Sequence, residues 1–271
     1  MFDLHCHLLP GIDDGAADLD TAIGMARMAV ADGIETIACT THIYPGMYDN
    51  TAAGIGAATA RMQGELDRRG IPLQLRFGAD VYLEPGLAAS IRGGRVPTLG
   101  GSRYLLLEPP HHVAPPNFEQ AVFDLVVAGH VPVITHPERL TWTHDHYAVF
   151  ARMARNGAWM QVTSGSLVGR FGHAAQRLGE RMLDDGLVHI LATDAHDLRR
   201  RPPLLAEGRE RAARHVGDVE ALHMVSTRPR GMLEDVAPDA LPPLPDAPPP
   251  TGWMNAFFGR QRRSPRMDTS R

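Results

Sequence analysis

The chain contains no lysine; all 27 of its basic side chains are arginine. Schiff-base chemistry, a lysine general base and a phosphate-loop lysine are therefore excluded, and with them several classes of barrel and nucleotide-binding enzyme. Cysteine is almost absent as well. The two thiols, Cys6 and Cys39, fall inside apolar strand-like runs, and positions six residues later hold Ile12 and Pro45 rather than arginine. A phosphocysteine intermediate is not expected. No stretch of about 18 apolar residues and no signal-peptide pattern occurs, so stable membrane insertion is not expected and the cytoplasm is the expected compartment. A formal net charge of -4 lacks the basic excess that nucleic acid or an anionic membrane surface would require.

What is present is an ordinary globular composition, 44% hydrophobic and 21% charged over 271 residues, enough for one catalytic domain with a large core. Apolar, β-branched runs predict strands at 2–6, 34–41, 73–79, 104–108, 131–135, 158–163 and 187–193. Segments of helical period predict helices near 18–32, 51–69, 117–129, 146–156 and 173–185, with more helix after 203. Strict alternation of strand and helix implies parallel pairing through crossovers. The glycine- and proline-rich stretch 82–103 predicts an irregular third crossover.

The composition changes after residue 235. Residues 236–271 hold eight prolines, with five arginines in the final twelve positions. Such a segment cannot bury enough apolar surface to offset its ordering entropy, so it is expected to be a disordered tail on a domain spanning 1–235. Within it Trp253, Met254, Phe257 and Phe258 form a small apolar cluster, read as part of a mobile tail, with a docking peptide or weak membrane-surface anchor as the alternative.

Five apolar runs end in a histidine or carboxylate: His5 and His7, His42, Glu108, His136, and Asp194 with His196. Asp80 ends the third strand in the same way. Strand tips that converge on one rim are how a barrel builds a site, and these side-chain types point to a multinuclear metal centre. His5 and His7, two residues apart on a strand, turn their rings the same way and can chelate one ion. The pair is followed by Asp13-Asp14-Gly15 in a glycine-bounded loop. Asp194 and His196 repeat the two-residue spacing, although Asp194 could instead cap a following helix. Glu108, between three leucines and two prolines, is poorly placed for a buried carboxylate unless it faces a cation.

These motifs, Asp3 through Gly15, Thr41-His42, Gly78 through Tyr82, Thr135 through Arg139 and Asp194-Ala195-His196, resemble the polymerase-and-histidinol-phosphatase (PHP) superfamily. Within it, Asp13-Asp14-Gly15, Arg139 and Arg201-Pro202-Pro203 are similar to the bacterial metal-dependent tyrosine-protein phosphatases of capsule and exopolysaccharide operons. The resemblance covers roughly residues 1–235. It implies a distorted (β/α)7 TIM-like barrel with three divalent ions, usually manganese, at the C-terminal strand ends. Carried over by position, one ion would take His5, His7, Asp80 and Asp194, a second Asp80, Glu108 and His136, and a third Asp14, His42 and His196. The family pattern has glutamate where this chain has Asp80, so bridging two ions from there would require a backbone shift or a weaker second site; Glu84 could help only if its loop turned back.

Three divalent ions against four carboxylates leave about two positive charges to attract a phosphate dianion and acidify water. Oxygen and imidazole ligands suit manganese, iron or zinc. Arg139 and Arg201 are the expected phosphate clamps, because a guanidinium fork matches phosphate oxygens; surface salt bridging is the alternative. With Asp194 and His196 they make up the expected catalytic set. The reaction implied is phosphomonoester hydrolysis by metal-activated water, with the phosphotyrosine tail of a bacterial tyrosine kinase as substrate. A small-molecule phosphatase of the histidinol-phosphate type and a silent phosphotyrosine-binding regulator are the alternatives.

Overall fold

The computed structural model describes residues 1–245. Its strands are β1 (Phe2–Cys6), β2 (Thr36–Cys39), β3 (His42–Ile43), β4 (Gln74–Phe77), β5 (Asp80–Tyr82), β6 (Tyr104–Glu108), β7 (Val131–Thr135), β8 (Trp159–Thr163) and β9 (Ile190–Ala192). The helices are α1 (Leu19–Ala31), α2 (Ala52–Arg68), α3 (Leu87–Arg92), α4 (Phe118–Val127), α5 (Thr143–Arg155), α6 (Ser164–Leu167), α7 (Gly172–Asp184), α8 (Ala206–Val216), α9 (Asp218–Leu222) and α10 (Arg228–Leu233). All strand pairs are parallel, in a three-stranded sheet of order β1-β2-β4 and a six-stranded sheet of order β3-β5-β6-β7-β8-β9.

Two of the expected strands are broken. The run 34–41 holds only β2, with β3 following after Thr40-Thr41, and the run 73–79 holds only β4, with β5 following after Gly78-Ala79. The cause is local. Thr40 turns aside to β1, its N–H donating to Cys6 O at 3.0 Å and its Oγ1 accepting from Cys6 N at 2.9 Å. Gly78 comes so close that a Cβ there would meet Leu99 Cδ2 at 2.9 Å and Thr40 Cγ2 at 3.2 Å. Beyond the break His42 and Asp80 stand side by side in register.

The remaining edges, β1 and β9, meet without a continuous ladder. Asp194 N–H donates to His5 O at 2.8 Å, His7 N–H to Ala195 O at 2.9 Å, and Cys6 and Ala195 form an isolated parallel bridge. Buried Asp3 accepts from both the N–H and the hydroxyl of Thr193 across this seam. Seven strand positions thus run round a distorted barrel, interrupted at the seam and at the two breaks.

Side-chain alternation separates two apolar layers. Leu4, Ala38, Leu106, Val133 and Ile190 gather inside the strands, while Leu105, Leu107, Ile134 and Leu191 face the helices. The crossover 82–103 is irregular as expected, with only the short α3 and a 3₁₀ turn at Leu99–Gly101.

Several residues after 235 pack against the barrel. Tyr104 Oη donates to Val236 O at 2.8 Å, Leu241 is buried in the inner layer, and fully buried Arg228 binds the carbonyls of Pro242 and Pro243 at 2.9 and 2.7 Å as well as Glu220. Proline in a tail removes N–H donors but leaves carbonyls free, and here those carbonyls satisfy a buried guanidinium. The cluster Trp253, Met254, Phe257 and Phe258 and the rest of the expected disordered tail lie outside the described residues.

Candidate metal centre

The barrel rim collects its polar side chains through small departures from ideal strands. The β1 ladder shifts register between Asp3 and Cys6, so that Leu4 below and His5 above both serve the interior. In β7, Ile134 faces the helices, and strict alternation would carry His136 outward with it. The φ of 36° at His136 turns the ring inward instead, to 5.7 Å from that of His5. Asp194 is also left-handed, with φ 51°. Each such residue costs of the order of 1–3 kcal/mol and persists where the surroundings enforce it. Asp194 caps no helix, since the next begins at Ala206; its carboxylate faces His5, His7, Arg139 and Arg201.

All nine side chains expected as ligands come together here. Donor atoms that fall close enough to share an ion form five overlapping groups: His7 with Asp14, His42 and His196; His5 with His7 and Asp80; His5 with His136 and Asp194; Glu108 with His111 and His136; and His42 with Asp80 and Glu108. Asp80 belongs to two groups from the backbone as it stands, its Oδ2 lying 3.4 Å from His5 Nε2 and 3.6 Å from His42 Nδ1. Glu84 lines the adjoining cleft but joins none of the groups.

The hydrogen bonds aim the imidazoles. His5 Nδ1–H donates to Gln161 Oε1 at 2.9 Å, His7 Nδ1–H to Asp13 Oδ2 at 2.8 Å and His196 Nδ1–H to Asp194 O at 3.0 Å. With Nδ1 so engaged, each ring turns Nε2 toward the cluster as the atom that would ligate an ion when unprotonated, and the Nε2 atoms of His5 and His7 lie only 3.3 Å apart. Both oxygens of fully buried Asp80, Nδ1 of His42 and His136 and Nε2 of His196 have no hydrogen-bond partner. Buried polar atoms are rarely left so. A divalent cation accepts all of them, and the all-nitrogen-and-oxygen donor set fits such an ion.

Charge points the same way. Burial opposes a proton on His5, yet Asp194 and Asp80 outweigh it and raise its pKa to about 9. At His42 burial is likewise overcome, by Glu108 and Asp80, and the pKa rises to about 10. Despite their burial, Asp194 is held well below the usual carboxylate range by Arg201, His5 and Arg139, and Glu108 by His111 and His42. The carboxylate field that draws protons onto these rings also draws a cation.

Arg139 and Arg201 both ion-pair with Asp194 and are largely buried, so they are not surface salt bridges. They line a cleft of about 1160 Å³ together with Asp14, His42, Glu108 and His136. Its opposite wall is apolar and aromatic: Tyr44 and Tyr82 stack at 4.0 Å, Tyr48 stacks on His42 at 5.5 Å, and Met47 and Val113 are exposed. Both cysteines are buried, which pushes the Cys39 thiol up to about 12 and that of Cys6 well above its ordinary value. Neither can serve as a thiolate.

Three residues of this region, His111, Gln161 and Phe171, escaped sequence reasoning, and a fourth, Asp13, entered it only as the neighbour of Asp14 in their shared loop. His111 joins Glu108 and His136, three positions after Glu108 in a Glu-Pro-Pro-His sequence whose loop conformation brings it back to the strand tip. Asp13 orients His7 and accepts from His42 N–H at 3.1 Å. Gln161 orients His5. Phe171 carries the Arg139 guanidinium 4.1 Å above its ring centre. Only Asp13 had a signal, through its Asp-Asp-Gly loop.

Comparison with known proteins agrees with this geometry. A family model described as capsular polysaccharide synthesis, CpsB/CapC, matches residues 1–234. The tyrosine-protein phosphatase YwqE of Bacillus subtilis is 35% identical over 201 residues, covering 74% of this chain and 79% of that protein. The tyrosine-protein phosphatase CpsB of Streptococcus agalactiae is 24% identical over 240 residues, 87% of this chain and 99% of that one. A crystal structure from work on YwqE of Bacillus subtilis and CpsB of Streptococcus pneumoniae, described as unique metal-dependent tyrosine phosphatases, superposes with a TM-score of 0.85 at 31% identity, covering 90% of this chain and 99% of that one. The chain, with its strand-tip histidines and carboxylates, belongs to the CpsB/CapC family of capsular polysaccharide synthesis.

Proposed function

We propose that this protein is a metal-dependent protein-tyrosine phosphatase acting in the cytoplasm on the phosphotyrosine tail of a bacterial tyrosine kinase that governs capsule or exopolysaccharide synthesis. The observation that carries the reading is the meeting, in one cleft, of the histidine–carboxylate cluster, two converging arginines and an aromatic wall. The relatives named as tyrosine phosphatases support it.

His5, His7, Asp80 and Asp194 would hold one divalent ion, Asp80, Glu108 and His136 a second, and Asp14, His42 and His196 a third, with manganese the first choice. When bound, such ions supply positive charge to the phosphoryl oxygens and acidify water. Arg139 and Arg201 bind the remaining phosphoryl oxygens; Asp194 holds both guanidinium groups on one side of the cleft, and Phe171 supports that of Arg139 from below. Asp13 and Gln161 keep the Nδ1 protons of His7 and His5 in place, so that neither ring turns. Tyr44, Tyr82 and Met47 offer apolar surface to an aryl ring. A phenolic leaving group, of pKa about 10, needs little protonation, which suits a cleft with no lysine and no thiolate.

The test joins metal analysis to a phosphatase assay on phosphotyrosine peptides, with wild type and His136→Ala. Wild type should carry divalent metal, release phosphate in a chelator-sensitive manner and prefer peptide over histidinol phosphate, and the variant should lose metal and turnover together. Metal-loaded wild type that bound phosphotyrosine peptide yet released no phosphate would overturn the reading.

A further inference from the structure

The cleft does not end at the arginines. Beyond Arg139 lies a second groove of about 600 Å³, and Arg139 and His111 belong to the walls of both. Its far wall is α7, where Arg177 and Arg181, four residues apart, share one helical face. Arg181 is braced: its guanidinium lies 3.8 Å over the ring of Tyr147 and 3.5 Å from Asp185, to which the Tyr147 hydroxyl donates at 2.7 Å. Arg177 is exposed and makes no ion pair or side-chain hydrogen bond among the described residues. Among the described residues the single carboxylate in the groove walls is Glu138, which is buried and whose Oε1 is engaged by Ser166 Oγ at 2.7 Å and Thr163 N–H at 3.1 Å.

Three guanidinium groups therefore face a groove whose one acid is turned inward, and the first of them also touches the phosphate corner. We infer that this groove is a subsite for a second anionic group on the peptide substrate, a carboxylate or a phosphoryl on a residue near the phosphotyrosine being hydrolysed. The inference rests on the phosphotyrosine-peptide reading above. A peptide whose phosphotyrosine reaches Arg139 from the cleft can continue over it into the groove, where Arg177 meets an anion without first giving up a partner. A neutral peptide gains nothing there. Small aryl phosphates do not reach it.

The experiment is steady-state hydrolysis by the metal-loaded full chain of p-nitrophenyl phosphate and three phosphotyrosine peptides, one with neutral neighbours, one with aspartate and glutamate neighbours, one with a second phosphotyrosine. Wild type should show a lower KM for one or both anionic peptides than for the neutral one. Arg177→Ala should raise that KM about threefold to tenfold, with kcat and p-nitrophenyl phosphate hydrolysis unchanged and with partial recovery in Arg177→Lys. Preference for the doubly phosphorylated peptide alone identifies a phosphoryl occupant; preference for the acidic peptide alone identifies a carboxylate. Arg181→Ala, checked for folding by thermal melting because it also releases Tyr147, should act in the same direction. Equal KM values for all peptides in wild type, or an Arg177→Ala variant that keeps the preference, would sink the subsite while leaving the phosphatase standing. No hydrolysis of any substrate would take down both.

Discussion

Asp80 brings two unpartnered oxygens into a fully buried position between His5 and His42, which makes it the side chain with the least reason to be there without a cation. Asp80→Asn should lower both bound metal, measured by elemental analysis after gel filtration, and turnover. Gln161→Leu removes only the acceptor that orients His5, and metal affinity should drop by about 10- to 100-fold, the usual cost of losing an outer-sphere partner. Phe171→Leu takes away the ring beneath Arg139, worth about 0.5–2 kcal/mol, and should weaken competitive inhibition by inorganic phosphate more than it lowers metal content. Eight of the nine expected ligands stand out because each lies at the end of an apolar run; Asp14, in its Asp-Asp-Gly loop, was reached only through the family resemblance. Gln161 and Phe171 were not legible, since a glutamine inside a strand and a phenylalanine before a helix look the same whether or not an imidazole or a guanidinium lies across from them.

At the scale of elements, the Asp13-Asp14-Gly15 loop is held against β1 more tightly than its sequence suggests. A Cβ on Gly15 would fall 2.2 Å from His7 O and 2.4 Å from His7 Cβ, and backbone cannot swing aside as a side chain can. Gly15→Ala should displace Asp13 and Asp14 together, costing about 1–3 kcal/mol in denaturant unfolding and weakening binding of the ion proposed for Asp14, His42 and His196. The positions of β1, β6, β7 and β8 were readable from apolar runs alone. The division of β2 from β3 and β4 from β5 was not, because it follows from the approach of Thr40 to Cys6 and of Gly78 to Leu99, contacts between residues distant in sequence. His136 shows the same limit, as no periodicity announces a left-handed residue that reverses the direction of its own ring.

For the whole molecule, the end of the barrel opposite the metal cluster is closed by Arg228, which binds Glu220 and the carbonyls of His189, Pro242 and Pro243. Truncation after residue 235 should lower Tm more than truncation after 245, because the longer product keeps Leu241, Pro242 and Pro243. Arg228→Met should cost about 3–5 kcal/mol, the penalty for leaving buried Glu220 without its guanidinium and with only His223 Nδ1 at 3.3 Å beside it. Beside it His189 is buried and accepts from Met160 N–H, and burial together with Arg228 lowers its pKa to about 3. The unfolded chain takes up that proton below about 6.5, so its contribution is fully present above that pH and is lost as pH falls toward 3, at up to about 1.4 kcal/mol per pH unit. His189→Asn, whose Oδ1 can take over the bond from Met160, should flatten this part of the stability–pH curve measured by urea denaturation. The seam between β1 and β9 has a consequence in time. Asp3 and Thr193, which it joins, are 190 positions apart, and the cluster beside it draws on residues from His5 to His196. A chain emerging from the ribosome holds its first histidines long before their partners exist, so no product that stops short of them can complete the centre. Hydrolytic activity is thereby reserved for chains whose synthesis has passed His196.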